Sequence, residues 1–144
     1  MYTIRKLKDN EVDIVMTIWK ESTIKAHSFI PKKYWENNYD VVKNVYIPMA
    51  ETYVYDKEDK IKGFVSIIEG GFIGALFIDI NFQGLGIGSK LIDFVCNKYK
   101  KLTLAVYKEN YNAVDFYKNK GFKIVSEGKN DDSGFDEYIM ELIQ

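Results

Sequence analysis

Two short stretches carry the residues best suited to chemistry: "NFQGLGIGSKL" (81–91) and "NYNAVDFYKNKGF" (110–122). The first sets Gly84, Gly86 and Gly88 at alternate positions between an expected strand and an expected helix. Missing side chains let backbone N–H groups approach an anion, and a helix N-terminus adds positive potential, so a phosphate-bearing ligand is implied. Spacing separates the ligand classes that use such a turn. A P-loop requires G-x-x-x-x-G-K-[ST], but Gly88 is followed by Ser89 and then Lys90. The dinucleotide fingerprint G-x-G-x-x-G fails because Ser89 or Leu91 takes its last position, and no acidic residue is well placed further on. In the second stretch Tyr117 offers a phenol that can donate a proton, beside Phe116 on an amphipathic helix, and Asn110 stands where it can cap that helix.

The remaining reactive side chains are few. His27 is the sole histidine and Cys96 the sole cysteine. Neither has a partner at metal-ligand spacing, so no metal is expected. Cys96, next to Val95 on the helix after the glycines, reads as core. Composition fits this economy. The 144 residues suit one domain spanning 1–144, and 20 basic against 21 acidic residues leave no basic field for nucleic acid. No apolar run reaches membrane-spanning length, and the N-terminal stretch lacks the apolar core of a signal peptide. With a lone cysteine, a cytoplasmic protein is expected.

Elements must position these residues, and hydrophobic spacing predicts them. A strand over 3–7 precedes a helix capped by Asp9, with Val12, Val15, Met16 and Trp19 at helical spacing. Pro31 opens a second helix whose apolar face is Trp35, Tyr39, Val42, Tyr46 and Met49. Two strands flank a charged turn at 56–60, then "GGFIGALFIDI" reads as a strand covered on both faces. After the glycine turn come a helix (Ile87, Leu91, Phe94, Val95), the strand "LTLAVY", a helix stopped by Gly121, and two last strands around the polar loop 129–133. The order βααβββαβαββ implies an α/β fold with one mixed sheet.

Gln83-x-x-Gly86-x-Gly88 resembles the Q/R-x-x-G-x-G/A signature of the GNAT superfamily of N-acetyltransferases, and 110–122 resembles that family's second signature. The element order between and around them is similar too, so the resemblance spans essentially the whole chain. It implies a GNAT fold, a mixed central sheet of about six to seven strands flanked by about four helices. It also implies acetyl-CoA as donor. The resemblance assigns backbone contacts with the cofactor arm to Leu76, Phe77 and Ile78. It assigns the pyrophosphate cradle to Gln83 and the N–H groups of Gly84, Leu85, Gly86, Ile87, Gly88 and Ser89. Asn110 would contact the arm, and Tyr117 would protonate the departing thiolate. "AHSFI" followed by Tyr34-Trp35 is similar to a branch of small bacterial GNAT proteins that includes protein-lysine acetyltransferases.

Acetyl transfer to an amine needs a neutral nucleophile, and keeping a lysine neutral at pH 7 costs ~4–5 kcal/mol without help. The family's acidic base would stand at Phe72 or Ala105, and neither can accept a proton. Glu69, Asp79, His27 or a chain of waters are the alternatives, with a structural role weighed against catalysis for His27. His27, Phe29 and Phe72 are the candidate acceptor-site residues. The acceptor is expected to be a protein lysine, the alternative being a small amine. A non-catalytic acyl-CoA sensor is a further alternative, and the state expected is monomer or homodimer.

Overall fold

Aliphatic and aromatic residues at period two build seven strands, and apolar residues at period 3.6 build the helices that cover them. In the computed structural model, which describes residues 1–144, these are β1 (Tyr2–Lys6), α1 (Val12–Ala26), α2 (Lys32–Val41), α3 (Ile47–Met49), β2 (Glu51–Lys57), β3 (Lys60–Ile68), β4 (Phe72–Ile78), α4 (Ile87–Cys96), β5 (Lys101–Tyr107), α5 (Tyr111–Asn119), β6 (Lys123–Lys129) and β7 (Asp136–Ile143). One sheet holds all seven strands in the order β1-β2-β3-β4-β5-β7-β6. Only β4 and β5 pair parallel; the other neighbours are antiparallel. The expected mixed sheet is therefore observed.

Each face of the sheet has its own core. Ile87, Leu91, Ile92 and Val95 of α4, with Val114 and Tyr117 of α5, pack against Val65, Ile67, Leu102 and Leu104. On the opposite face Val15, Met16, Ile18 and Trp19 of α1 and Trp35 of α2 cover Val54 and Phe64. Alternate residues of β2 and β3 thus serve opposite cores.

Strand β4 departs from this alternation at one residue. Ser66 pairs with Ala75 but Ile67 pairs with Ile73, so Gly74 is an extra residue, a bulge. Ile73, Leu76 and Ile78 consequently face the α4/α5 core, while Ala75 and Phe77 face α1 and α2. Parallel pairing with β5 covers only Phe72 with Thr103 and Ile73 with Leu104. Beyond the bulge the two strands separate.

Two local expectations are corrected. Residues 42–46 form a π-helical turn between α2 and α3, with the Ile47 N–H donating to the Val42 carbonyl. The wider turn takes up one extra residue and shifts the helical phase. Ile47 is therefore buried where Tyr46 and Met49 were expected, and those two are exposed. Asp9 likewise does not cap α1; it lies in a 3₁₀ turn over Asp9–Glu11. No side chain caps α1 itself; the Glu11 carboxylate instead closes the 3₁₀ turn, accepting from the Lys8 backbone N–H at 2.9 Å.

Glu11 also takes a bidentate pair from Arg5 (2.9 and 2.8 Å), and Arg5 reaches Asp56 at 3.0 Å. This network ties β1, the start of α1 and the β2 end together. Bonding to Arg5 holds the Glu11 carboxyl at about 2, below its ordinary 4.5. The unfolded chain takes up the proton first, so the stability Glu11 contributes is full above 4.5 and is lost as pH falls toward 2. Glu11→Gln is expected to flatten the acid limb of stability; urea midpoints at about pH 6 and about pH 3 measure it, and an unchanged difference between them would refute the assignment.

Candidate active site

Separation of β4 from β5 leaves the β4 edge from Gly74 to Ile78 without a strand partner, so its alternate peptide groups face a cleft. The cleft has a volume of about 800 Å³ and is lined by Leu76, Phe77, Ile78, the glycine turn and the start of α5. Two side chains fix its floor. Ser22 Oγ donates to the Ile78 carbonyl at 2.8 Å, and Gln83 Nε2 donates to the same oxygen at 3.1 Å. Lys25 Nζ donates to Gln83 Oε1 at 3.3 Å, bringing α1 to the turn.

The glycine turn needs its glycines. Gly84 and Gly86 have φ of +80° and +81°, and a Cβ at either would point into open space. The N–H groups of residues 83–86 donate to no protein acceptor. Those of Ile87, Gly88 and Ser89 open α4, where helix geometry supplies none. A row of free donors at a ten-residue helix's N-terminus is a cradle for a phosphate group. Lys120 adds a positive charge beside it, donating to Ser89 Oγ at 2.9 Å while paired with Asp93.

A second cleft of about 760 Å³ opens on the α1/α2 face. Its walls are aromatic, including Trp19, Tyr34, Trp35 and Tyr107, and its charged residues are Asp132 and Glu137, both acidic. An ammonium suits such surroundings: carboxylates attract it and ring faces accept it. Leu76, Phe77, Asn110, Ala113 and Tyr117 line both clefts, so the two meet there.

Tyr117 is 8% exposed, yet its hydroxyl has no hydrogen-bond partner in the protein. Burial raises its pKa, so the phenol keeps its proton at neutral pH. Asn110 Oδ1 accepts from the Ala113 N–H at 3.4 Å, capping α5. Its Nδ2 lies 3.3 Å from His27 Nε2, and His27 Nδ1 lies 2.7 Å from the Thr23 carbonyl. This pattern fits the tautomer in which Nδ1–H donates to Thr23 and Nε2 accepts from Asn110. Burial lowers the His27 pKa and favours that neutral form. His27 therefore bridges α1 to the start of α5, stacked on Trp35 at 4.9 Å.

The sequence-derived candidates divide by position. Leu76, Phe77, Ile78, Gln83, Gly84, Gly86, Ile87, Gly88, Ser89, Asn110 and Tyr117 line the first cleft together. Leu85 does not; its side chain is exposed on the turn. His27 lines the second cleft. Phe29 instead packs behind it, edge-on to His27, Tyr107 and Phe135. Phe72 lines neither cleft, because it sits where β4 is still paired with β5, before the strands part. Glu69 and Asp79 are also outside both clefts; Asp79 is engaged in a turn, accepting from Asn81 at 2.8 Å. Sequence reasoning missed Tyr34, Tyr107, Asn130, Asp132 and Glu137 in the second cleft. Only the acidic run in 129–137 hinted at them, and nothing local says that this loop folds over β5.

A family model described as "Acetyltransferase (GNAT) domain" matches residues 21–143. Peptidyl-lysine N-acetyltransferase YiaC of Escherichia coli (strain K12) is 34% identical over 137 residues, covering 95% of this chain and 94% of that protein. The solution structure of apo-form YjaB from Escherichia coli aligns with a TM-score of 0.86 at 28% identity, over 98% of this chain and 97% of that one. A PaiA N-acetyltransferase from Thermoplasma acidophilum, solved in complex with coenzyme A, shares the fold: TM-score 0.83 at 18% identity, over 100% and 99% of the two chains. Free donors at the glycine turn, an unpartnered phenol where two clefts meet and these relatives agree: the chain belongs to the GNAT acetyltransferases, enzymes that take their acetyl group from acetyl-CoA.

Proposed function

We propose that this enzyme acetylates the ε-amine of lysine side chains in proteins, by direct attack of the amine while both substrates are bound. The observation that carries it is the junction of the two clefts at Leu76, Phe77, Asn110, Ala113 and Tyr117. One cleft ends in a phosphate cradle, and the other is aromatic and acidic, as a cationic amine requires. The names of YiaC and YjaB support lysine as the acceptor. One sheet shared by both cores supports 1–144 working as a single domain. The lone Cys96 supports a reducing compartment, the cytoplasm.

Acetyl-CoA supplies an acetyl group activated as a thioester. Residues 84–89 hold its pyrophosphate through their N–H groups, and the unpaired edge at Leu76, Phe77 and Ile78 hydrogen-bonds its arm. Asn110 lines the narrow passage between the clefts. Tyr117 gives its proton to sulfur as the C–S bond breaks. The dry site disfavours phenolate and thiolate alike, so the relative order of the two acids is kept there.

Calorimetry and a thiol-release assay test this. Acetyl-CoA is expected to bind, and lysine peptides to release thiol faster than polyamines or free amino acids. No binding at millimolar acetyl-CoA would end the proposal, and a preference for a small amine would move it to that class. Tyr117→Phe is expected to lower kcat about 10²-fold with acetyl-CoA affinity kept, the size of effect typical for a lost proton donor; wild-type turnover would remove Tyr117 from the acid role. Gly86→Ala forces a side chain into the left-handed region at a cost of ~1–2 kcal/mol and puts a methyl in the cradle, so acetyl-CoA affinity should fall about 10-fold. Unchanged affinity in that variant would place the pyrophosphate elsewhere.

A further inference from the structure

An ammonium must lose a proton before it can attack, and the side chains expected to accept it are outside the clefts or, like His27, already engaged. Ala105 replaces the family's acid on β5, and Phe72, Glu69 and Asp79 lie outside the clefts. The His27 Nε2 lone pair faces Asn110. Three carboxylates line the clefts: Glu109 is exposed in the first, and Asp132 and Glu137 stand in the second, where the amine is proposed to bind. Asp132 is exposed and engaged with the Tyr34 hydroxyl at 2.7 Å.

Glu137 stands differently. Along β7, Tyr138, Met140 and Leu142 pack toward the α4/α5 core, so Glu137 and Ile139 face the second cleft. Glu137 pairs with Tyr107 and Ile139 pairs with Ala105. Glu137 is thus the diagonal cross-strand neighbour of Ala105, about 7–8 Å away between Cα atoms, within the reach of a glutamate side chain. Ala105 is exposed in the cleft and leaves that space open. Asn130 Nδ2 donates to Glu137 Oε2 at 3.2 Å, and Asn130 is itself fixed by the N–H groups of Asp132 and Ser133 (3.0 and 2.9 Å). No protein donor takes Oε1. The carboxylate is held by one oxygen and open at the other, in the same cleft as the unpartnered Tyr117 hydroxyl.

We propose that Glu137 is the catalytic base, supplied by β7 in place of an acid at Ala105. Its role rests on the amine acetylation proposed above. Glu137 takes one proton from the ammonium. The neutral nitrogen then forms the C–N bond as C–S breaks, Tyr117 protonates the sulfur, and the second nitrogen proton restores Tyr117. Glu137 returns its proton to water, so one proton is released per turnover.

The other titratable groups facing this cleft are His27 from α1, Tyr34 from α2, Tyr46 from the π turn, Tyr107 from β5, Tyr117 from α5 and Asp132 from the β6–β7 loop. The test measures kcat/KM for a lysine peptide against pH in wild type, Glu137→Gln and Glu137→Gln/Ala105→Glu, with acetyl-CoA affinity by calorimetry as the check on folding. Glu137→Gln should lose about 10²-fold at neutral pH, with the deficit shrinking as pH nears ~10, where the amine is neutral unaided. The double variant should regain about 10-fold or more, since it returns a carboxylate to the diagonal position. A wild-type rate in Glu137→Gln, or a pH-independent deficit without recovery, overturns the proposal while leaving the acetyltransferase function intact. A wild type that binds acetyl-CoA but turns over no lysine peptide overturns both.

Discussion

Parallel pairing between β4 and β5 stops after Ile73 and Leu104, and the extra residue at Gly74 turns the rest of β4 to a new phase. A sheet interior normally satisfies both edges of a strand. Here one edge over five residues is left for ligands, and the gap lets two clefts from opposite faces touch. The bulge also decides which core each β4 side chain serves, so packing and site formation come from one irregularity.

The ends of the helices complete what the gap begins. α4 points its free N–H groups at one end of the cleft, and α5 carries Tyr117 to the other. α1 is tied to both: Ser22 and Lys25 reach the β4 end and Gln83, while His27 reaches Asn110 at the start of α5. The Tyr117 side chain lines both clefts, and no protein group is bonded to its hydroxyl. Aromatic packing against Phe116 and Phe122 holds the ring in place. The unsatisfied donor is ready for a substrate atom without reorganisation.

Electrostatics differ between the clefts. The first cleft gathers peptide dipoles with Lys25 and Glu109 in its lining; the second gathers Asp132 and Glu137 among aromatic rings. A nearly neutral chain, −1 in formal charge, therefore hides a locally acidic second cleft, because the net charge sums over the whole surface.

Most elements were legible because their signals are local. Alternation marked β2 and β3, helical spacing marked α1 and α4, and the hairpin turn lies where its charge run predicted. Misjudged positions were those where geometry departs from an ideal period. The π turn moved Ile47 into the core in place of Tyr46, and a 3₁₀ turn closed by Glu11 stands where an Asp9 cap of α1 was expected.

The glycine turn and the Asn110 cap of the first cleft were legible in the sequence alone, because positive-φ glycines, a helix N-terminus and an Asn cap act over a few consecutive residues. The second cleft was decided only by tertiary structure. Tyr34 and Asp132 are 98 residues apart and bond directly, and Glu137 reaches the cleft only through its register opposite Tyr107. Register across a sheet depends on which side chains fill the shared core, not on the residues beside them in the chain. The glycines pointed to a phosphate-bearing ligand; folding β7 beside β5 placed two carboxylates in the second cleft.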